Sequence, residues 1–222
     1  MTSIIRVQNI QYTDGDSAIT IADGGGITLP QTVTVSGNIE LGHATDTTLS
    51  RSAAGTLQVE GKSVLTTGHE GAIIQTKQTV MTGRFETTST SFTDITGLSV
   101  AITPTTATNK ILIMVHLQNN ATYTYAKFFN LVRGSTNILQ GDAHLSSQTR
   151  STVYSRDEAF GEVSTVIFLD SPGATSEQTY KMQGSVQSGG ELTINYTQVA
   201  TNAAYIGTGT STITAMEVVD NG

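Results

Sequence analysis

The chain has 222 residues, a formal net charge of −7 and no cysteine. Disulfides, thiol chemistry and zinc–thiolate sites are thereby excluded, and with no Lys/Arg cluster anywhere, nucleic acid is a poor partner. Charged residues are 13% of the chain, about half the usual quarter, while 39 threonines and 22 glycines favour strands over helices.

The start, Met1–Arg6, lacks the apolar stretch of a secretory signal. Ile4, Ile5, Val7 and Ile10 suit either a short strand or a docking segment. A series of apolar pairs follows: Ile19/Ile21, Ile27/Leu29, Val33/Val35 and Ile39/Leu41. Turns rich in glycine and asparagine separate them, Asp23–Gly26 and Ser36–Asn38. Each pair is a minimal strand that one chain cannot bury. Three chains wound together can, with the pairs directed at the common axis. Residues 1–41 are therefore expected to form an attachment arm or a short intertwined shaft. The alternative is an irregular arm whose apolar residues lie on the downstream domain.

Residues 42–70 predict a neck hairpin. Thr47, Leu49 and Arg51 alternate, Ser52–Gly55 can turn, and Leu57 and Val59 alternate before Glu60-Gly61 turns again. An isolated hairpin buries too little apolar surface to persist in water, so Leu49, Leu57 and Val59 join the axis candidates Ile19, Ile21, Ile27, Leu29, Val33 and Val35. The order Asp46-Thr47-Thr48-Leu49-Ser50-Arg51, continuing through Ala54-Gly55, Leu57 and Val59-Glu60-Gly61, resembles a segment common in tail-fibre and other fibre proteins of tailed bacteriophages.

From residue 71 to 222, turn signals arrive about every ten residues, the spacing of a sandwich or barrel. Strands are expected at 73–85, 92–102, 110–117, 123–132, 137–141, 160–169, 178–186, 192–198 and 211–219. Ile111–Val115 is apolar throughout, which predicts a central strand covered on both faces. The run is also far too short to span a bilayer, so no membrane insertion is expected. Phe92, Ile95, Leu98, Val100 and Ile102 mark a half-buried strand. No window carries a helical stripe. The order Phe92-Thr93-Asp94, Gly97-Leu98, Pro104 and Asn109-Lys110-Ile111-Leu112-Ile113 is similar to a β-sandwich module of phage structural and fibre proteins. That resemblance implies a jelly-roll-like head and trimers. The expected fold class is thus all-β, an N-terminal β-rich arm or shaft followed by an antiparallel β-sandwich head.

Chemistry is sparse. His43, His69, His116 and His144 have no metal-ligand spacing, and His116, continuing an apolar strand, reads as a buried wall residue. Asp142-Ala143-His144 reads as a solvated turn. No G-x-S-x-G elbow exists, and the carboxylates form no readable glycosidase pair. No catalytic residue, metal or cofactor is expected. What remains is surface recognition. Asn120, Tyr123 and Tyr125 lie in and beside one loop. Arg150, Tyr154 and Arg156 lie in the longest polar connection, 148–158. These six are the receptor-contact candidates, with aromatic faces for sugar rings and amides and guanidinium groups for hydroxyls.

The sequence reading is a phage fibre, a virion protein, acting as a homotrimer. It joins other virion proteins through its arm and meets a host surface glycan or protein through its head. The alternatives are a capsid or tail decoration (cement) protein and, more remotely, a glycan-degrading spike.

Overall fold

The computed structural model describes residues 39–40, 48–53, 56–59, 62–64, 71–122, 124–156, 161–197, 204 and 206–220. The chain divides into two compact units, Met1–Val64 and Leu65–Gly222. Among the described residues there is no helix.

In the first unit, β1 (Ile39–Glu40), β2 (Thr48–Ala53), β3 (Thr56–Val59) and β4 (Lys62–Ser63) form an antiparallel meander in that order. The expected hairpin is its centre, with Leu49 opposite Val59 and Arg51 opposite Leu57. Ile39, grouped above with the arm, instead pairs with Leu49 from the other side. The axis candidates Ile19, Ile21, Ile27, Leu29, Val33 and Val35 lie outside the described residues. Of the other three, Val59 is half-buried.

The second unit contains β5 (Ile73–Met81), β6 (Phe85–Thr87), β7 (Thr93–Ile102), β8 (Lys110–Ala121), β9 (Ala126–Arg133) and β10 (Thr136–Leu139). It continues with β11 (Val153–Arg156), β12 (Glu162–Asp170), β13 (Gln178–Val186), β14 (Leu192–Ile194) and β15 (Ser211–Val218). In one antiparallel sheet β8 is flanked by β12 on one side and by β14 and β15 on the other, with β6 and β5 beyond them. In the second, β9 is flanked by β13 and then β7, and on its other side by β10 and β11. Each of the pairs β5/β6, β10/β11 and β14/β15 is one interrupted strand. Eight strands in chain order then run first–eighth–third–sixth in one sheet and second–seventh–fourth–fifth in the other. This is the jelly-roll order.

Alternation explains the core. Ile111, Ile113, Val115 and Leu117 of β8 point inward against Phe129 and Leu131 of β9 and Tyr180 and Met182 of β13, and all are nearly or fully buried. In β7 the alternation breaks between Ile95 and Leu98, both buried. Gly97 (φ +89°) lies in the break, where the pairing between β7 and β13 shifts register. A bulge with glycine in the left-handed region lets both side chains face the same core.

Two ion pairs join the sheets across the core. Lys127 near the start of β9 meets Glu162 at the start of β12 at 2.9 Å, and Arg133 at the end of β9 meets Asp170 at the end of β12 at 2.5 Å. The Tyr180 hydroxyl also donates to Asp170, at 2.7 Å. Its phenol is pushed well above the usual tyrosine range, first by burial and then by that carboxylate.

Three sequence expectations change. The strand at 110–117 extends to Ala121 and, among the described residues, is covered on one face only: Met114 is exposed and Leu112 half-buried, because their side chains alternate away from the core. His116 shares that outward face and is exposed rather than a buried wall residue. Within the polar connection, Val153–Arg156 is a strand, β11, paired among the described residues only with β9. An edge strand with one inward apolar residue, Val153, gives little period-2 signal.

A groove on the outer face of the β9 sheet

The register of β11 on β9 places Tyr154 opposite Phe128 and Arg156 opposite Ala126. All four alternate to the outer face. The Phe128 and Tyr154 rings stack at 5.5 Å between centroids with an interplanar angle of 28°, and Tyr154 is 57% exposed. Offset stacking of this kind adds about 0.5–1.5 kcal/mol beyond area burial and holds the tyrosine face toward solvent.

The 140–151 connection between β10 and β11 rises beside this pair. Its base is closed by a backbone bond from the Gly141 amide to the Ser151 carbonyl and by the Gln140 side-chain Nε2 donating to Arg150 O. Thr152 seats the base on the sheet: its amide donates to Phe129 O, and its hydroxyl accepts from the Leu131 amide and donates to Leu139 O. The loop thus rests on rigid strands although every residue from 141 to 150 is exposed.

Between this loop and the end of β13 runs an open groove of about 880 Å³. Phe128, Tyr154 and Ala126 form its floor, and Arg150, Arg156, Asp142 and Gln148 rise along it, with Gln187 and Ser188 opposite. The Nε atoms of both arginines are anchored, Arg150 to Gly141 O at 2.7 Å and Arg156 to Thr124 O at 3.1 Å. Among the described residues neither guanidinium is ion-paired.

Of the six receptor-contact candidates the structure brings three together, Arg150, Tyr154 and Arg156. Tyr123 lies outside the described residues. Tyr125 is half-buried and packs over the turn after β13, where a Cβ at Gly190 would come within 2.8 Å of it. Asn120 is corrected: it is fully buried on β8, opposite Thr193, and a group without exposure cannot touch a receptor. Phe128 was missed, although two adjacent phenylalanines in one strand must face opposite ways, so one had to point out. Asp142, Gln148 and Gln187 carried no signal, since only tertiary folding brings them to one groove.

No group of three or more metal-ligating side chains occurs among the described residues. No helix among them is long and apolar enough to cross a membrane.

No family model matches the chain, and no curated protein matches it. Among solved structures it is similar to the infectious bursal disease virus VP2 subviral particle, at 11% identity and a TM-score of 0.32 over 79% of this chain. The chain spans about half of that protein, 47%.

Proposed function

We propose that the chain is a virion structural protein, a phage fibre that forms a homotrimer and contacts the host surface through its jelly-roll head. The groove carries the adhesion reading. It combines an aromatic floor for the apolar face of a sugar ring with anchored guanidinium groups and amides for hydroxyls or carboxylates. The fibre reading is supported by the likeness of Asp46–Gly61 to fibre segments. Binding at each groove is weak, and several grooves per assembly multiply it into useful avidity. The N-terminal residues attach the fibre to other virion proteins. Catalysis, cofactors, nucleic acid and membrane insertion have no part in this proposal.

The test is binding of the full-length chain to an array of bacterial surface glycans, repeated with Tyr154→Ala and Arg156→Ala. Each substitution is expected to weaken binding about tenfold, roughly 1.4 kcal/mol. Binding that is absent, or unchanged in both variants, overturns the adhesion reading. A decoration protein without a receptor role is the second reading, favoured by the apolar outer face of the β8 sheet, which suits packing on a neighbour.

A further inference from the structure

Over Ile111–Val115 the strand β8 is apolar on both sides, yet the described residues cover one. On the open side, register places Met114 beside Ile167 of β12, and Leu112 between Leu169 of β12 and Met216 of β15. Ile167, Leu169 and Met114 are 63%, 46% and 39% exposed, and Val163 extends the row along β12. Among the described residues the β12 strand is also a sheet edge, paired only with β8. Its interior, Val163–Leu169, carries no charge to discourage a partner. Antiparallel sheets with one free face are normally polar there.

We infer that this outer face, across β12, β8, β15 and β5, is where further copies of the same chain pack together in the head. This deepens the homotrimer reading by naming the surface. Charge selects the occupant. The chain is acidic, with net charge −7, so most of its surface repels a second copy. The outward side chains of its strands include no carboxylate, and at its margin Lys110 is bridged to Asp220 at 2.5 Å. Threonines, Gln78, Gln118 and His116 supply its polar part, groups that both donate and accept and so complement themselves. A hollow of about 410 Å³ around Met114, Thr214 and Met216 lies beside the projecting β12 row. The row of one copy can seat in the hollow of the next, which closes a ring of three as well as a pair. Four strands about 4.8 Å apart and roughly 23 Å long present roughly 450 Å². Two copies face to face bring together roughly 900 Å²; in a ring of three each copy divides its face between two neighbours, so the three contacts together join roughly 1350 Å², each of them small and the ring stabilised by their number.

The cysteine-free chain allows a local test. Thiols are introduced singly by Ile167→Cys or Thr165→Cys on this face and by Ser99→Cys on the outer face of the other sheet, and maleimide labelling is timed on the full-length protein. Light scattering gives the mass of each sample. The expected result is an assembly of about three times 23.4 kDa, with both β12 thiols labelled at least about tenfold more slowly than the β7 thiol and faster on dilution to monomer. Equal rates in an assembled sample overturn the face while leaving the homotrimer standing. A monomer at all concentrations overturns both.

Discussion

Glu217 sits on β15 in the apolar series Ile213, Ala215 and Val219, and is fully buried. Burial alone would push its carboxyl up. Hydrogen bonds from Asn109 Nδ2 (2.6 Å), Gln75 and the amide and hydroxyl of Thr105 (2.7 Å each) outweigh burial and hold it below the ordinary value of 4.5. A carboxyl lowered in the folded state adds stability above its unfolded value and loses it as pH falls through the folded one. Asp94, hydrogen-bonded by Lys181 and Gln183, is shifted in the same direction. The urea midpoint is therefore expected to stay level from about pH 8 to 6 and to drop below roughly pH 4.5. Glu217→Gln places a donor among donors and should cost about 1–3 kcal/mol near neutrality, with a shallower acid drop in the same titration. Gly190 makes a second prediction: a Cβ there meets Tyr125 and Val186 at 2.8 Å, so Gly190→Ala should lower stability by about 1–3 kcal/mol in thermal melts. Glu217 was visible in sequence as the one charge in an apolar slot. Its partners were not, because Asn109 and Thr105 come from a connection more than 100 residues away.

At the scale of elements, β9 and β12 are joined at both ends by ion pairs that bridge the two sheets. Lys127 is 1% exposed, whereas Glu162 is substantially open. Burial raises the Glu162 carboxyl, but the hydrogen bonds from Lys127 and Ser155 prevail, and the group ends below its usual range. The two halves of this pair are unequal to remove. Glu162→Ala strands a buried ammonium and should cost about 2–4 kcal/mol. Lys127→Met replaces the charge with apolar volume and should cost under about 1 kcal/mol, although the same pair is lost. Chemical denaturation of both variants tests the asymmetry. Strands buried on one face were legible because alternation survives in them, as Gln178–Val186 shows by matching its expected bounds. The interruptions between β5 and β6 and between β10 and β11 were less so. A break in pairing leaves little trace when Thr and Ser fill both strand and loop.

For the whole molecule, length, threonine content and turn spacing sufficed for an all-β sandwich. The jelly-roll order was implied only by resemblance, since pairing β5 with β15 links the two ends of the head. The continuous apolar run of β8 reads as two-sided burial, but among the described residues only one side is covered. Association through the open face predicts that Ile167→Lys leaves the melting temperature of the dilute monomer within a few degrees of the parent. At high concentration the same variant loses assembly, read by light scattering.

The 140–151 connection leaves and re-enters the same flank of β9, and Gly141, Ser151 and Thr152 tie its base to the sheet. Its tip is thus an interchangeable cassette whose length and composition are decoupled from folding. Doubling a flexible loop costs only about 0.6 kcal/mol in closure entropy. Replacing residues 142–149 with an equally long Gly-Ser segment should leave the melt almost unmoved and, on the adhesion proposal, abolish binding on the glycan array, which makes the tip a place where surface chemistry changes without renegotiating the scaffold.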